Sequence, residues 1–92
     1  MAHLKGIITV VGKDKKGIIA RVSGHLYDKG INVLDLNQTI VQGYFNMIMI
    51  VDLSEEGVNF HDLAESLEHL GDEIDMMIKL QHEDIFNSIH RI

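Results

Sequence analysis

Two runs of branched and apolar residues, 31–41 and 44–53, are separated only by Gln42-Gly43. A connection that short joins neighbouring strands only as an antiparallel hairpin. The rest of the chain must pack around that pair. Ahead of it, residues 3–12 read as a strand, with Ile7, Ile8, Val10 and Val11 nearly continuous, as in a buried central strand. Residues 13–16 are a polar turn. Residues 17–29 read as a helix whose Ile18, Ile19, Val22 and Leu26 share one face. Gly30 suits the helix end, because glycine takes the left-handed conformation without a Cβ clash. Gly24 interrupts this helix and is expected at a point of close packing.

After the hairpin, residues 54–58 form a loop and Asn59 is an N-cap for a helix over 60–70. Phe60, Leu63, Ala64, Leu67 and Leu70 form its apolar stripe, and Gly71 is expected to close it. A fourth strand is predicted over 74–81. Helical spacing returns over 83–92 with Ile85, Phe86, Ile89 and Ile92.

The order β-α-β-β-α-β is α+β, a ferredoxin-like sandwich with a short C-terminal helix. Right-handed crossovers place both long helices on one sheet face. The chain reads as a single domain over residues 1–92, with a core over 3–82 and the terminal helix over 83–92. A domain of this size buries only roughly 60–65% of its unfolded surface. Yet 46% of the residues are hydrophobic, so part of that surface is expected in a subunit interface. Residues 44–51 are apolar at both parities, which predicts cover on both sheet faces, most simply by a second copy. Met47, Met49, Met76 and Met77 read as core and interface filler.

The formal charge of −6, from 14 acidic and 8 basic residues, disfavours nucleic acid and anionic membranes as partners. The third strand has only Tyr44 and Phe45 as stacking aromatics and the first has none, against an RNA-binding sheet. With no cysteine there is no disulfide framework, thiolate nucleophile or Cys-based metal site. No apolar run approaches the ~20 residues of a membrane span, and the N-terminus lacks a signal-peptide layout. The chain reads as soluble and cytoplasmic.

Chemistry concentrates in Val10-Val11-Gly12-Lys13-Asp14-Lys15-Lys16-Gly17-Ile18-Ile19 and in Gly30-Ile31-Asn32-Val33. A strand ends in a polar turn and a helix opens on glycine, so unpaired helix N–H groups and the macrodipole favour a carboxylate. Asp14 is placed to meet an ammonium group, and Asn32 both donates and accepts. Around one corner these groups would read an amino acid at both ends. The competing reading is structural: Asp14 caps the helix, Gly17 permits the turn and Asn32 caps a strand edge. Lys13, Lys15 and Lys16 suggest phosphate only weakly, since no P-loop pattern accompanies them. His61, Glu65 and His69 follow helical spacing, but a solvated face explains them better than a metal site. The serines sit in no nucleophile elbow, and Ser23 and His25 do not face each other on a helix, so no catalyst is expected.

The pattern Asp14-x-x-Gly17-Ile18-Ile19, Val22, Gly30-Ile31-Asn32-Val33 and Gln38, within that element order, resembles the ACT domain family over residues 3–82. Many members carry Asp-x-Pro-Gly at the turn, and Lys16 stands here in place of that proline. With its tail over 81–92, the chain is similar to small stand-alone ACT proteins of bacteria and archaea. That group in turn resembles the ACT domains of the glycine cleavage system repressor. The resemblance implies a regulatory module, not an enzyme, with no cofactor and no metal. It implies a homodimer or higher homo-oligomer that binds a small molecule between subunits, an amino acid by family habit. By position the contacts are Gly12, Asp14, Lys16, Gly17 and Ile18 from one subunit and Asn32 and Val33 from the other. Gly12 has no side chain where some members place a hydrogen-bonding one. Without an output domain, the signal is expected to pass to a separate regulatory protein. The alternative is a ligandless protein–protein assembly module.

Overall fold

The computed structural model describes residues 4–55 and 57–89. Its elements are β1 (Lys5–Lys13), α1 (Ile18–Asp28), β2 (Asn32–Val41), β3 (Tyr44–Asp52), α2 (Phe60–Ile74), β4 (Met77–His82) and α3 (Glu83–Ile89). The strands form one sheet in the order β2-β3-β1-β4, antiparallel at every step. This is the expected ferredoxin-like arrangement. Residue 3 of the predicted first strand and residues 90–92 of the predicted last helix lie outside the described residues.

The hairpin turn has positive φ at both central positions, 53° at Gln42 and 83° at Gly43, and Val41 pairs with Tyr44. That backbone matches the right-handed twist of the flanking strands. Along β3, Phe45, Met47, Met49 and Val51 are buried, while Tyr44, Asn46 and Ile48 are exposed. The two apolar parities of this strand therefore separate, one into the core and one to the far face. Ile8 and Val10 of β1 and Ile78 and Leu80 of β4 complete the inner face. Onto it pack Ile18, Val22 and Leu26 of α1 and Leu63, Leu67, Leu70 and Ile74 of α2. Burying a side chain such as Leu67 fully contributes about 2 kcal/mol. On the far face Ile7 is buried, whereas Val11, Tyr44, Ile48 and Met77 remain exposed. Short α3 lies against β1 and β4.

Helix α1 ends as its glycine predicts. Gly30 has φ 72° and its N–H donates to the Tyr27 carbonyl, while the Ile31 N–H donates to the Leu26 carbonyl. This is a Schellman closure, with Ile31 and Leu26 both in the core. Helix α2 starts at the predicted cap, where the Asn59 side chain accepts from the Asp62 N–H at 3.0 Å.

Three expectations need correction. Gly71 does not end α2, which continues to Ile74 and closes at Asp75 in the left-handed conformation (φ 59°, ψ 47°). Gly71 is required for a different reason: a Cβ there would lie 2.5 Å from the Met76 carbonyl oxygen. The chain turns back tightly enough that the Met76 N–H donates to the Gly71 carbonyl at 2.8 Å. The fourth strand accordingly starts at Met77, and Ile74 belongs to the helix because it continues the buried stripe. Lastly, Gly24 is no packing point, since it is exposed and a Cβ there would meet nothing within 4 Å.

Two cross-links show α1 and α2 running antiparallel. Arg21 pairs with Glu73 at 2.7 Å, and His25 Nε2 lies 2.9 Å from Ser66 Oγ. The ion pair is more than half exposed and contributes little. At the other end of α2, the Phe60 ring stacks on His82, with centroids 4.0 Å apart.

Candidate functional site

The turn between β1 and α1 is built as the sequence suggests, but its cap is not. Gly17 is the N-cap residue with φ 83°, and no side chain caps the helix. The capping role open to Asp14 is therefore not taken. Asp14 is exposed, and its own N–H donates to the Gly43 carbonyl at 2.9 Å, which ties this turn to the hairpin turn. The first N–H groups of α1, at Ile18, Ile19 and Ala20, precede the first i to i−4 bond, made by the Arg21 N–H to the Gly17 carbonyl.

Beside this helix start is an open hollow of about 340 Å³ between α1 and β2. Asp14, Gly17 and Ile18 border it, and Gln38, Ile40 and Phe45 complete it. The last three were not among the expected contacts. Their signal was the hairpin register: Gln38 pairs with Met47 and Ile40 with Phe45, so both stand on the helix-bearing face. Both are exposed there, because α1 does not cover this end of β2.

The other expected residues lie elsewhere. Lys16 faces a second hollow of about 230 Å³ on the opposite side of α1, with Lys15, Arg21 and Glu73. Gly12 pairs with Phe45, but the space a Cβ would need is filled by Met76, whose sulfur stands 2.6 Å from that position. Asn32 and Val33 are at the far end of the sheet. Asn32 pairs with Asp52, which pairs with Lys5, whereas Asp14 follows Lys13 at the other end of β1. Eight strand steps separate these levels, about 27 Å at the usual rise. One corner of one chain does not hold Asp14 and Asn32 together, because β1 and β2 run parallel and start at the same end.

The contact between His25 and Ser66 is not a nucleophile–base pair. Ser66 Oγ donates to the Leu63 carbonyl at 2.9 Å, which leaves His25 Nε2 as the donor to Ser66. An imidazole protonated at the facing nitrogen cannot take that hydroxyl's proton. Burial between the helices, and then Lys29, lower the His25 pKa, with Asp28 and Glu73 opposing. Among the described residues no three His, Asp or Glu side chains are gathered for a metal ion, and His61, Glu65 and His69 are exposed along α2. No described helix is long and apolar enough to cross a membrane.

The sequence model of the ACT domain family matches residues 6–81. This chain belongs to the ACT domain family. A UPF0237 protein of Bifidobacterium longum is 52% identical over 88 residues, spanning 96% of this chain and 98% of that one. An ACT domain protein from Streptococcus pneumoniae superposes with a TM-score of 0.81 at 40% identity, over 92% of this chain and 96% of that one. A protein assigned as a glycine cleavage system transcriptional repressor superposes with a TM-score of 0.77 over 89% of this chain and 47% of that one. At 22% identity this last likeness concerns the fold alone. ACT domains are regulatory modules that bind small molecules and often pair, and the ACT domain here points to regulation rather than catalysis.

Proposed function

We propose that this ACT domain senses an amino acid at a homodimer interface and passes the signal to a separate protein. The observation that carries the reading is the uncapped start of α1 beside the exposed Asp14 carboxylate, in the hollow completed by Gln38, Ile40 and Phe45. The helix N–H groups suit an α-carboxylate, with Lys16 adding positive potential from the other side of the turn. Asp14 and the Gln38 amide oxygen suit an α-ammonium group. Ile18, Ile40 and Phe45 offer an apolar wall to the amino-acid side chain. Gly12 enters as the residue opposite Phe45 rather than as a contact.

The hollow opens at the free edge of β2, and a second copy supplies what one chain keeps far away. Two β2 edges paired antiparallel about Asn37 set Leu36 beside Gln38 of the partner subunit. The bulge between Val33 and Asp35 absorbs Leu34, so Val33 of the partner subunit then falls beside Ile40. Val33 and Ile40 stand on the same sheet face, since they pair with Val51 and Phe45. Asn32 of the partner subunit falls beside Val41. Asn32 and Val33 thus close the hollow across the interface.

The test is thermal unfolding of the purified protein against each common amino acid at millimolar concentration, with its mass measured by light scattering. A ligand at ~100 times its Kd adds about 2.7 kcal/mol per site, a rise of several degrees in a domain this small. Asp14→Asn, Gln38→Ala and Asn32→Ala are expected to remove the rise while the dimer persists. A dimer whose unfolding ignores the whole panel would overturn sensing and leave an assembly module.

A further inference from the structure

A further open hollow lies at the opposite edge of the sheet, between α2 and β4. It measures about 660 Å³. Ala64, Gly71 and Ile78 form its floor, and Glu68, Asp72 and Asp75 stand on its rim. Gly71 deepens it, because the close Met76 carbonyl forbids any side chain at that position.

Two independent properties set this groove apart. The first is the strand beside it. β4 pairs with β1 alone, in unbroken register from Met77 to His82. Alternate residues of an edge strand turn their N–H and C=O groups outward, and protein edges are normally blunted by bulges, prolines or lysines. The other edge, β2, is irregular, with a bulge between Val33 and Asp35, and is the edge taken up in the proposed dimer. β4 has none, offers only Lys79 as a guard, and presents Met77 at 70% exposure.

The second property is charge. The last turn of α2 has no basic residue. Glu68 and Asp72 sit four apart on one helical face, and Asp72 and Asp75 lie at the negative end of the helix dipole. Both placements are unfavourable without a cation. Arg21 neutralises Glu73, on the α1 side of the helix, and none of the groove's acids. Among the described residues bordering the groove, Lys79 alone is basic.

We infer that the α2–β4 groove docks an extended, basic segment of a partner protein, which pairs with β4 as a fifth strand. In that strand, side chains facing the helices are Lys or Arg, with their stems on Ala64 and Ile78 and their charges at Glu68, Asp72 and Asp75. The alternate side chains are apolar and meet Met77 on the far face. This inference goes beyond the amino-acid site and does not depend on it, and pairing of β2 edges leaves both β4 edges free.

The test titrates the full chain, without any amino acid, into a fluorescent peptide of alternating Lys and Val. Binding is expected, weakening as salt rises. Glu68→Gln/Asp72→Gln is expected to weaken it about tenfold, with thermal unfolding unchanged. Amide exchange in β4 is expected to slow when the peptide binds, while exchange in β2 stays the same. The same Lys-Val peptide N-methylated at every residue, of equal charge and unable to donate along the edge, is expected not to bind. Equal binding of the N-methylated peptide, undiminished binding by the double variant, or unslowed β4 exchange would each overturn the proposal. So would a fall in oligomeric mass in the double variant, which would assign the groove to a second copy of this chain.

Discussion

The Asp14 amide donates to the Gly43 carbonyl at 2.9 Å, fastening the turn that opens α1 to the turn of the β2–β3 hairpin. Two loops far apart in sequence thus hold one end of the hollow. Gly43 sustains this contact in a conformation, φ 83°, that side chains disfavour. Gly43→Ala is expected to cost about 1–2 kcal/mol. It should appear as a lower urea midpoint and faster exchange of the Asp14 amide. An unchanged midpoint would mean the turn relaxes without strain.

Two helical glycines should respond in opposite directions. Gly24 faces open space, so Gly24→Ala is expected to stabilise by about 0.5–1 kcal/mol through helix propensity. Gly71→Ala drives a Cβ to 2.5 Å from a backbone oxygen that cannot swing away. It is expected to destabilise by about 2 kcal/mol or more. Urea unfolding of both variants checks the contrast, and equal shifts would refute it.

The burial of His25, with Lys29 nearby, gives stability a pH dependence. Folding lowers the His25 pKa from 6.5. Between the folded and unfolded values the unfolded chain binds more protons, so stability rises with pH across that window. The contribution is complete above 6.5 and is lost as pH falls through the lowered folded value. His25→Gln keeps a donor to Ser66 without titrating and is expected to flatten the urea midpoint against pH below neutrality. An identical profile in that variant would remove His25 as the cause.

The local signals proved dependable wherever one stretch of chain determines its own geometry. Gln42-Gly43 makes the hairpin, Gly30 the Schellman closure and Asn59 the cap. The readings that failed concern glycines judged without their neighbours. Gly71 looks like a stop because its own stretch says nothing of Met76, which folds back over it. Gly24 looks like a packing point because nothing in sequence marks which helical face stays empty. Around the proposed site, Asp14, Gly17 and Ile18 follow from one turn, whereas Gln38, Ile40 and Phe45 enter only through strand register.

The sequence alone determined the element order, the antiparallel hairpin, the apolar stripes and membership of the ACT family, because each rests on spacing within a few residues or on the pattern as a whole. The tertiary structure alone decided where those pieces meet. It put Asp14 and Asn32 at opposite ends of the sheet, since parallel β1 and β2 begin at the same end. It also left one end of β2 uncovered by α1 and opened the acidic groove beside β4. Long-range packing chooses which faces are covered, and that choice is written in no single segment.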